Sequence, residues 1–348
     1  MNDPRVTGAM RYAQDVEFEG MLHARILRSP YPHAHVLRVD TSAVPDHIVV
    51  LTQDDIRELG KYGCQIKDQT VLAVDRARFA GDPVAAVAAP TRREAEEALS
   101  LIDVEYEELP GVYDAVAATL ASAPLIHEQH PISDNDAAYF GMRPQQGTNI
   151  CHRFRIRHGN IQEGFDKAEV IVEETYRTAG AQHAHMEPHA SVAFWKGDRL
   201  EIWTGTQTPF NLRMDLAGIF GIPEAQIRIV CPPMGGAFGA KTFVRYEAIV
   251  ACLARKAGRP LQPGSHATPA LDGRRSRADT FSLCVSATAR PTGYGTAPGT
   301  ALTNARNGCK QKAHQGGSCQ ARIRANNRRL ATGHRTACRD HRLHLSWP

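Results

Sequence analysis

The sequence lacks any apolar run approaching the length of about 18 residues that a membrane-spanning helix requires. It also lacks an N-terminal apolar segment of the kind found in signal peptides. Eight cysteines are present, but no two form a C-x-x-C pair, so neither an iron–sulfur ligand set nor a disulfide scaffold is visible. These absences predict a soluble, cytoplasmic protein with ordinary thiols and no membrane partner.

The last part of the chain lacks glutamate altogether and has few large apolar side chains. Residues 263–348 contain 14 lysines and arginines, three aspartates, and only 11 large aliphatic or aromatic residues. That apolar content is too small to offset the entropy of ordering a compact domain. We predict that this basic tail is disordered or aberrant, and the abrupt change in composition favours a shifted reading frame. A nucleic-acid-binding tail is the alternative, which the lack of aromatic stacking residues and lysine clusters disfavours.

The rest of the chain alternates strand and helix patterns. In residues 5–118, strands with a period of two residues precede helices. One helix has Thr52 at its N-cap and Asp55 in its first turn, and another opens with Thr91 and Glu94 at capping-box spacing. This pattern predicts a small α/β domain. Residues 119–150 are polar and rich in turn formers, which predicts a linker.

Residues 151–262 predict a second α/β unit. It contains a hairpin turning at residues 196–198, a helix ending at Gly221, a buried strand "IRIVCPP", and a helix ending at Gly258. A parallel strand should follow that last helix, because such a helix crosses back to pair a new strand with the sheet. No such pattern follows Leu261, so we predict that the domain is interrupted there.

A glycine-rich loop, "VCPPMGGAFGAKTF", joins the last predicted strand to the last helix. Gly235, Lys241 and Thr242 fit the phosphate-binding pattern G-x-x-x-x-G-K-[ST], but Ala240 replaces its second glycine. Alanine resists the positive φ that would turn backbone N–H groups onto phosphate. The departure disfavours nucleotide binding without excluding it.

Four widely spaced groups of residues carry a resemblance to a known family. They are "VTGAMRYAQDVEFEGMLHARILRSPYPHAHV" with "VDRARFAGDPVAAVAA" and "VEYEELPGV", then "QHAHMEPHASVAFW", "TGTQTPF" and "PPMGGAFGAK". The chain up to residue 262 resembles the large, molybdenum-binding subunit of the molybdenum hydroxylases. That family includes xanthine dehydrogenase, aldehyde oxidase and aerobic carbon monoxide dehydrogenase.

The resemblance implies an α+β fold. Residues 5–118 would form an a/b hammerhead domain, 119–150 a linker, 151–262 the N-terminal part of a molybdopterin-binding domain, and 263–348 an unrelated tail. It also implies cofactor contacts from Gln207, Gly236, Phe238 and Gly239, with the Gln207 amide beside the metal's oxo ligand. Thr242 would face the substrate pocket, where purine-oxidising relatives carry a glutamate, which argues against xanthine as the substrate.

The segment "HAHMEPHA" offers a different interpretation. His183, His185, Glu187 and His189 alternate, which would place all four side chains on one face of a strand and suggest a zinc site. The resemblance instead implies that they form part of the wall near the cofactor. We predict no metal-ligating side chain in the chain.

The chemistry that the resemblance implies is oxidation of an aldehyde or aromatic heterocycle with water. Electrons would pass to iron–sulfur and FAD partner subunits or domains, and the general base would be a glutamate near the C-terminal end of a full-length subunit. This chain has no glutamate after Glu247. We therefore predict a truncated, inactive form with no catalytic residue of its own that does not retain the molybdenum–molybdopterin cofactor. A non-catalytic protein whose basic tail binds nucleic acid is the alternative.

Overall fold

The computed structural model describes residues 3–63, 66–128, 144–178, 180–258, 261–263, 281–286, 319–326 and 339–345. None of the helices within these ranges is long and apolar enough to cross a membrane. The helices are α1 (Pro4–Thr7), α2 (Gln53–Ile56), α3 (Arg92–Leu99), α4 (Ile161–Asp166), α5 (Pro209–Phe220) and α6 (Glu247–Ala257). The strands are β1 (Leu22–Arg28), β2 (Ala34–Asp40), β3 (Val49–Leu51), β4 (Arg76–Ala77), β5 (Pro83–Ala89), β6 (Asp103–Glu108), β7 (His152–His158), β8 (Ile171–Arg177), β9 (Ser191–Lys196), β10 (Arg199–Thr204), β11 (Ile227–Val230), β12 (Leu261–Pro263), β13 (Phe281–Ser286), β14 (Cys319–Asn326) and β15 (Arg339–Leu345).

The structure divides into two compact units, of which the first comprises Met1–Gly111 and His183–Arg275. Its main sheet has seven strands in the order β11-β10-β9-β12-β1-β5-β3. The sheet therefore joins strands from both predicted α/β segments. Mixed strand directions and helices that pack on the sheet make this an α+β fold, as the sequence predicted.

Local sequence signals account for several of these elements. Thr91 is the N-cap of helix α3. Its side chain accepts a hydrogen bond from the Glu94 amide, while the Glu94 carboxylate accepts one from the Thr91 amide. Ala95 and Ala98 of this helix, with Ile102 just after it, form an apolar cluster with residues of β5 that are fully buried. At the start of α2, the Asp55 carboxylate accepts a 2.9 Å hydrogen bond from the Thr52 amide. The predicted capping box of Thr91 and Glu94 is confirmed.

The core on the other side of the main sheet is built around helix α6. Every residue from Glu247 to Ala254 is buried, and Gly258 ends the helix in a left-handed conformation with φ of 63°. Leu216 and Ile219 of helix α5 belong to the same apolar cluster. A helix buried on nearly all sides must be covered by several elements, and α6 contacts β3, β5, β9, β10 and β12.

Two details of the main sheet differ from the sequence prediction. Strand β11 is an edge strand, so only Ile227 is buried, whereas the apolar run predicted a buried strand. A strand also follows α6 after all, because Leu261–Pro263 pairs in parallel with β1. Only three residues are involved, too few to produce a readable period in the sequence.

A smaller sheet in the first unit has the order β4-β2-β6. Val36 of β2 and Ala77 of β4 are buried with Val84 in one apolar cluster, against which Tyr106 packs. The outward-facing residues of the edge strand β6 are acidic, which discourages pairing with another chain.

The second unit comprises Val112–Gln182 and Ser276–Pro348. Within the predicted linker, the buried side chain of Asn149 accepts a hydrogen bond from the Ile126 amide and donates to the carbonyls of Ala118 and Pro124. Residues 129–143 of that linker lie outside the described residues.

The sheet of the second unit has the order β7-β15-β13-β14-β8. Its three central strands belong to the tail, which differs from the prediction of a tail without regular structure. Strands β7 and β8 flank them through backbone hydrogen bonds, which do not depend on a regular apolar pattern. The other tail residues lie outside the described part of the chain.

Candidate functional site

Three loops converge at one edge of the main sheet because of the strand directions there. Strands β10 and β11 are parallel, so their carboxyl ends, at Thr204 and Val230, lie at the same edge. Strand β9 is antiparallel to β10 and begins at Ser191, which pairs with Thr204. The segments 183–190, 205–208 and 231–246 therefore meet there. The carboxyl ends of parallel strands are the usual ligand-binding edge of such sheets.

Gln207 connects two of these loops through both its backbone and its side chain. Its amide N–H donates to the carbonyl of Lys241 at 2.8 Å. Its side-chain Oε1 accepts a 3.0 Å hydrogen bond from the Gly239 amide. With Oε1 held in this way, the side-chain Nε2 has no acceptor among the described residues and remains a donor on an exposed side chain.

Thr242 supports the same arrangement. Its hydroxyl lies 2.8 Å from the carbonyl of Gly239 and 3.3 Å from Oε1 of Gln207. Because a hydroxyl has one proton, it donates to one of these acceptors at a time, and the shorter contact is to Gly239. Thr242 therefore contacts two of the predicted cofactor-binding residues.

Three residues of the glycine-rich loop have a positive φ. Gly236 and Gly239 have φ of 100° and 98°, which side chains rarely adopt. Phe238 has φ of 53°, unusual for a bulky residue, and its ring is 63% exposed. The structure thus places Gln207, Phe238, Gly239 and Thr242 within one pair of loops, with Gly236 beside the Phe238 ring.

A buried ion pair lies beneath this loop. Lys241 Nζ donates to Glu187 Oε2 at 2.7 Å, and the two side chains are 2% and 5% exposed. The amide of Gly235 donates to the same carboxylate oxygen at 2.8 Å. Sequence inspection missed this pair, since 54 positions separate its members and no local pattern indicates burial.

The buried Lys241 bears directly on the nucleotide interpretation. A phosphate-binding lysine must reach its ligand through solvent, whereas this ammonium group is enclosed and bound to Glu187. The neighbouring Ala240 is also buried. The loop therefore lacks both the accessible lysine and the glycine of a phosphate-binding loop.

The histidine segment is not a strand, contrary to the alternation that suggested a zinc site. Ala184 has φ of 48°, which interrupts the extended backbone that alternation requires. Glu187 turns to Lys241, and the Nδ1 of His185 donates to the backbone carbonyl of Glu187. Among the described residues, no cluster of three histidine, cysteine or acidic side chains could hold a metal ion.

His189 is the most strongly perturbed titratable group at this edge. Burial, followed by the positive charge of Arg245, lowers the pKa of His189 to about 2. Its ring packs edge-on against His185 at 5.1 Å and against Tyr246 at 5.6 Å. Burial also lowers the pKa of His185. Both rings are therefore held neutral, and they serve as packing surfaces.

Glu247 organises the far end of the glycine-rich loop. It accepts hydrogen bonds from the Thr204 hydroxyl at 3.0 Å and from the amides of Arg245 and Tyr246. The carboxylate thus joins the end of β10 to the start of α6. Its position in the first turn of a helix is a visible sequence signal for such a role.

Comparison with known proteins agrees with this architecture. Residues 7–110 match the family described as aldehyde oxidase and xanthine dehydrogenase, a/b hammerhead domain. Residues 142–266 match the family described as molybdopterin cofactor-binding domain. The chain is 38% identical over 262 residues to a probable xanthine dehydrogenase subunit of Bacillus subtilis, covering 74% of this chain and 33% of that protein. It is 30% identical to the nicotinate dehydrogenase large molybdopterin subunit of Eubacterium barkeri, covering 74% of this chain and 57% of that protein.

Solved structures show the same likeness. The chain matches quinoline 2-oxidoreductase from Pseudomonas putida with a TM-score of 0.63 and 30% identity, covering 74% of this chain and 33% of that one. It matches reconstituted CO dehydrogenase from Oligotropha carboxidovorans with a TM-score of 0.64 and 28% identity, again covering 74% of this chain and 33% of that one.

The fold and the family matches define an α+β protein in which residues 142–266 match the molybdopterin cofactor-binding domain family. The chain belongs to the molybdenum hydroxylase large-subunit family, and it spans about a third of the length of most of the relatives described.

Proposed function

We propose that this chain is the N-terminal portion of a molybdenum hydroxylase large subunit that oxidises an aldehyde or an aromatic heterocycle with water. Its a/b hammerhead domain is residues 5–118, its linker 119–150, and its part of the molybdopterin-binding domain 151–262. The observation that carries the proposal is the oriented side chain of Gln207, held by Gly239 and next to an open glycine loop.

The residues present suit a molybdopterin cofactor. The backbone at Gly236 and Gly239 carries no side chain and has a conformation that side chains rarely adopt, so a planar ligand can approach it closely. Gln207 offers a neutral Nε2 donor, which can hydrogen-bond an oxo group without adding charge or displacing a ligand. We propose Gln207, Gly236, Phe238 and Gly239 as cofactor-contacting residues.

When bound, the cofactor would supply the redox chemistry that moves two electrons from the substrate carbon. This chain's residues would orient and enclose it. Gln207 would hold a hydrogen at a fixed position, because Gly239 fixes the rotation of its amide. Phe238 presents an exposed ring that can exclude water from one side. Thr242, with a neutral hydroxyl, would line the substrate side and favour small substrates other than purines.

We further propose that the 348-residue chain does not turn over by itself. Support comes from its span, since it covers 33% of the Bacillus relative, and from the absence of glutamate after Glu247. The missing general base and the missing remainder of the pocket would belong to a continued subunit. Electrons would leave through iron–sulfur and FAD partners in the cytoplasm, as in multi-subunit members of the family.

The test compares the 348-residue chain with a version whose reading frame is restored at codons 261–264. Both are purified from a host that makes molybdopterin, and molybdenum per chain and substrate-dependent dye reduction are measured. We expect stoichiometric molybdenum and activity only in the restored version. Stoichiometric molybdenum in the 348-residue chain contradicts the proposal that this chain is incomplete. A restored chain without molybdenum contradicts the proposed function.

A further inference from the structure

Lys241 is a junction among the three loops of the candidate site. Its ammonium group binds Glu187 of the segment 183–190. Its backbone carbonyl accepts hydrogen bonds from the Gln207 amide at 2.8 Å and from the Thr206 hydroxyl at 3.2 Å. One residue thus connects the glycine-rich loop to both neighbouring segments.

Glu187 extends this connection at a second point. Its amide donates to the carbonyl of Gly235 at 3.1 Å, while its Oε2 accepts from the Gly235 amide at 2.8 Å. The approach is so close that a Cβ at position 235 would lie 2.8 Å from the Cβ of Glu187. The spacing of the two segments therefore depends on a glycine at 235 and on the carboxylate at 187.

The ion pair of Glu187 and Lys241 is not expected to contribute much to the free energy of folding. Two buried charges lose their hydration, and well-packed apolar residues of similar volume are often as stable or more so. Glu187 Oε1 is buried and has no hydrogen-bond partner among the described residues, so the carboxylate is only partly satisfied. A partly satisfied buried network costs more than an apolar one. What the pair does provide is a fixed direction and distance between two loops.

We propose that Glu187 and Lys241 are positioning residues that set the geometry of the glycine-rich loop against Gln207. Through Lys241 they fix the carbonyl that binds the Gln207 amide, and through Gly235 they fix the start of the loop that presents Phe238 and Gly239. That the loop so positioned faces molybdopterin rests on the proposed function.

The experiment replaces both charges together by Glu187→Met/Lys241→Met, since either single change leaves a buried charge unpaired and can unfold the chain. The matched control is Lys67→Met/Asp215→Met, which removes a 2.7 Å ion pair between two distant segments outside the three loops. Amide hydrogen exchange of the 348-residue chain is followed at Gly239 and Gln207, together with the melting temperature.

We expect the Glu187→Met/Lys241→Met chain to melt near the unaltered chain, while exchange at both amides rises by about tenfold or more. The control variant should leave the exchange rates of both amides unchanged.

Unchanged exchange at Gly239 and Gln207 in the Glu187→Met/Lys241→Met chain overturns the proposal, whether or not the cofactor binds. In the restored-frame protein, molybdenum content should fall in the site variant alone. If the unaltered restored protein binds no molybdenum, the proposed function fails, and the exchange result still decides the positioning role.

Discussion

The backbone amide of Gly239 and the side-chain oxygen of Gln207 are joined by a 3.0 Å hydrogen bond across 32 positions of sequence. This bond determines which end of the Gln207 amide remains available. Since Oε1 is occupied, the side chain presents N–H donors and not a lone pair. The glycine-rich loop thus sets the chemical character of a residue in another loop.

Replacing Gln207 by alanine in the restored-frame enzyme should lower the turnover number and leave the fold intact. Gln207 is exposed and outside the core, so the change removes the preoriented donor and the contact of Oε1 with the Gly239 amide but no apolar packing. Loss of such a donor typically lowers the rate by about 10- to 1000-fold. Steady-state kinetics and the melting temperature measure the two effects. Gln226→Ala, on the connection before β11, is the control, and a Gln207→Ala enzyme with unaltered turnover contradicts the assigned role.

Replacing Gly239 by valine should abolish cofactor retention in the same restored protein. The space is sufficient, because a Cβ there would come no closer than 3.6 Å to His183, but φ of 98° is strained for a β-branched residue. The loop would have to move, and the bond to Gln207 would break. Molybdenum analysis of the purified protein measures retention.

The control for that change is Gly197→Val. Gly197 also has a positive φ, 58°, and open space around its Cβ, but it lies in the hairpin between β9 and β10, at the opposite end of β10 from the site. We expect some loss of stability and full molybdenum content. Equal cofactor loss in both variants would show that general destabilisation, and not the loop geometry, is responsible.

The free energy of unfolding should decrease as the pH is lowered below about 6.5, in part because of His189. Its pKa is about 2 in the folded chain, so between these values the unfolded chain binds a proton that the folded chain does not. Stability therefore decreases as pH falls, by up to ~1.4 kcal/mol per pH unit for one such group. Denaturant unfolding at pH 7 and pH 5 measures the slope.

His189→Phe should reduce that slope, because phenylalanine keeps the ring packing against Tyr246 and does not titrate. The charged and titratable groups around this ring, Arg245 and Lys241 with His185 and His183, remain unchanged in the variant. His47→Gln, at an exposed position, is the control. An identical slope in the His189→Phe and unaltered chains would contradict the assignment.

Resequencing of the gene around codons 261–264 should reveal a frame in which the strand and helix pattern continues. The composition changes abruptly there, to a stretch with 14 basic residues and no glutamate. A restored frame should encode apolar periodicity and supply acidic residues. If all downstream frames lack that periodicity, the frame hypothesis is wrong.

Signals confined to a few adjacent residues were readable from the sequence. The capping pair Thr91 and Glu94, the turn at Gly197, and the helix end at Gly258 depend on neighbours within one turn, and all three form as expected. The ion pair of Glu187 and Lys241 depends on strand directions that bring residues 54 positions apart together. No pattern of neighbouring residues predicts a contact over that separation in sequence.

The same limit applies to the histidine segment. Alternation of His183, His185 and Glu187 resembles a strand, but one positive φ at Ala184 removes the common face. The burial of Lys241 is another property that no local pattern indicates. At 2% exposure, Lys241→Ala would leave Glu187 buried and unpaired, a change that typically costs about 3–5 kcal/mol.

Strand β12 lies between β9 and β1 in the seven-stranded sheet, with Leu261 paired to Leu22 on one side and to Ala193 on the other. These few residues join the strands from 22–89 to those from 191–230. Without them, β1 and β9 would both become uncovered edges in the middle of an apolar sheet, open to pairing with other chains. During synthesis β1 can pair with β5 once both are made, but its other edge stays uncovered until residue 261 has been added.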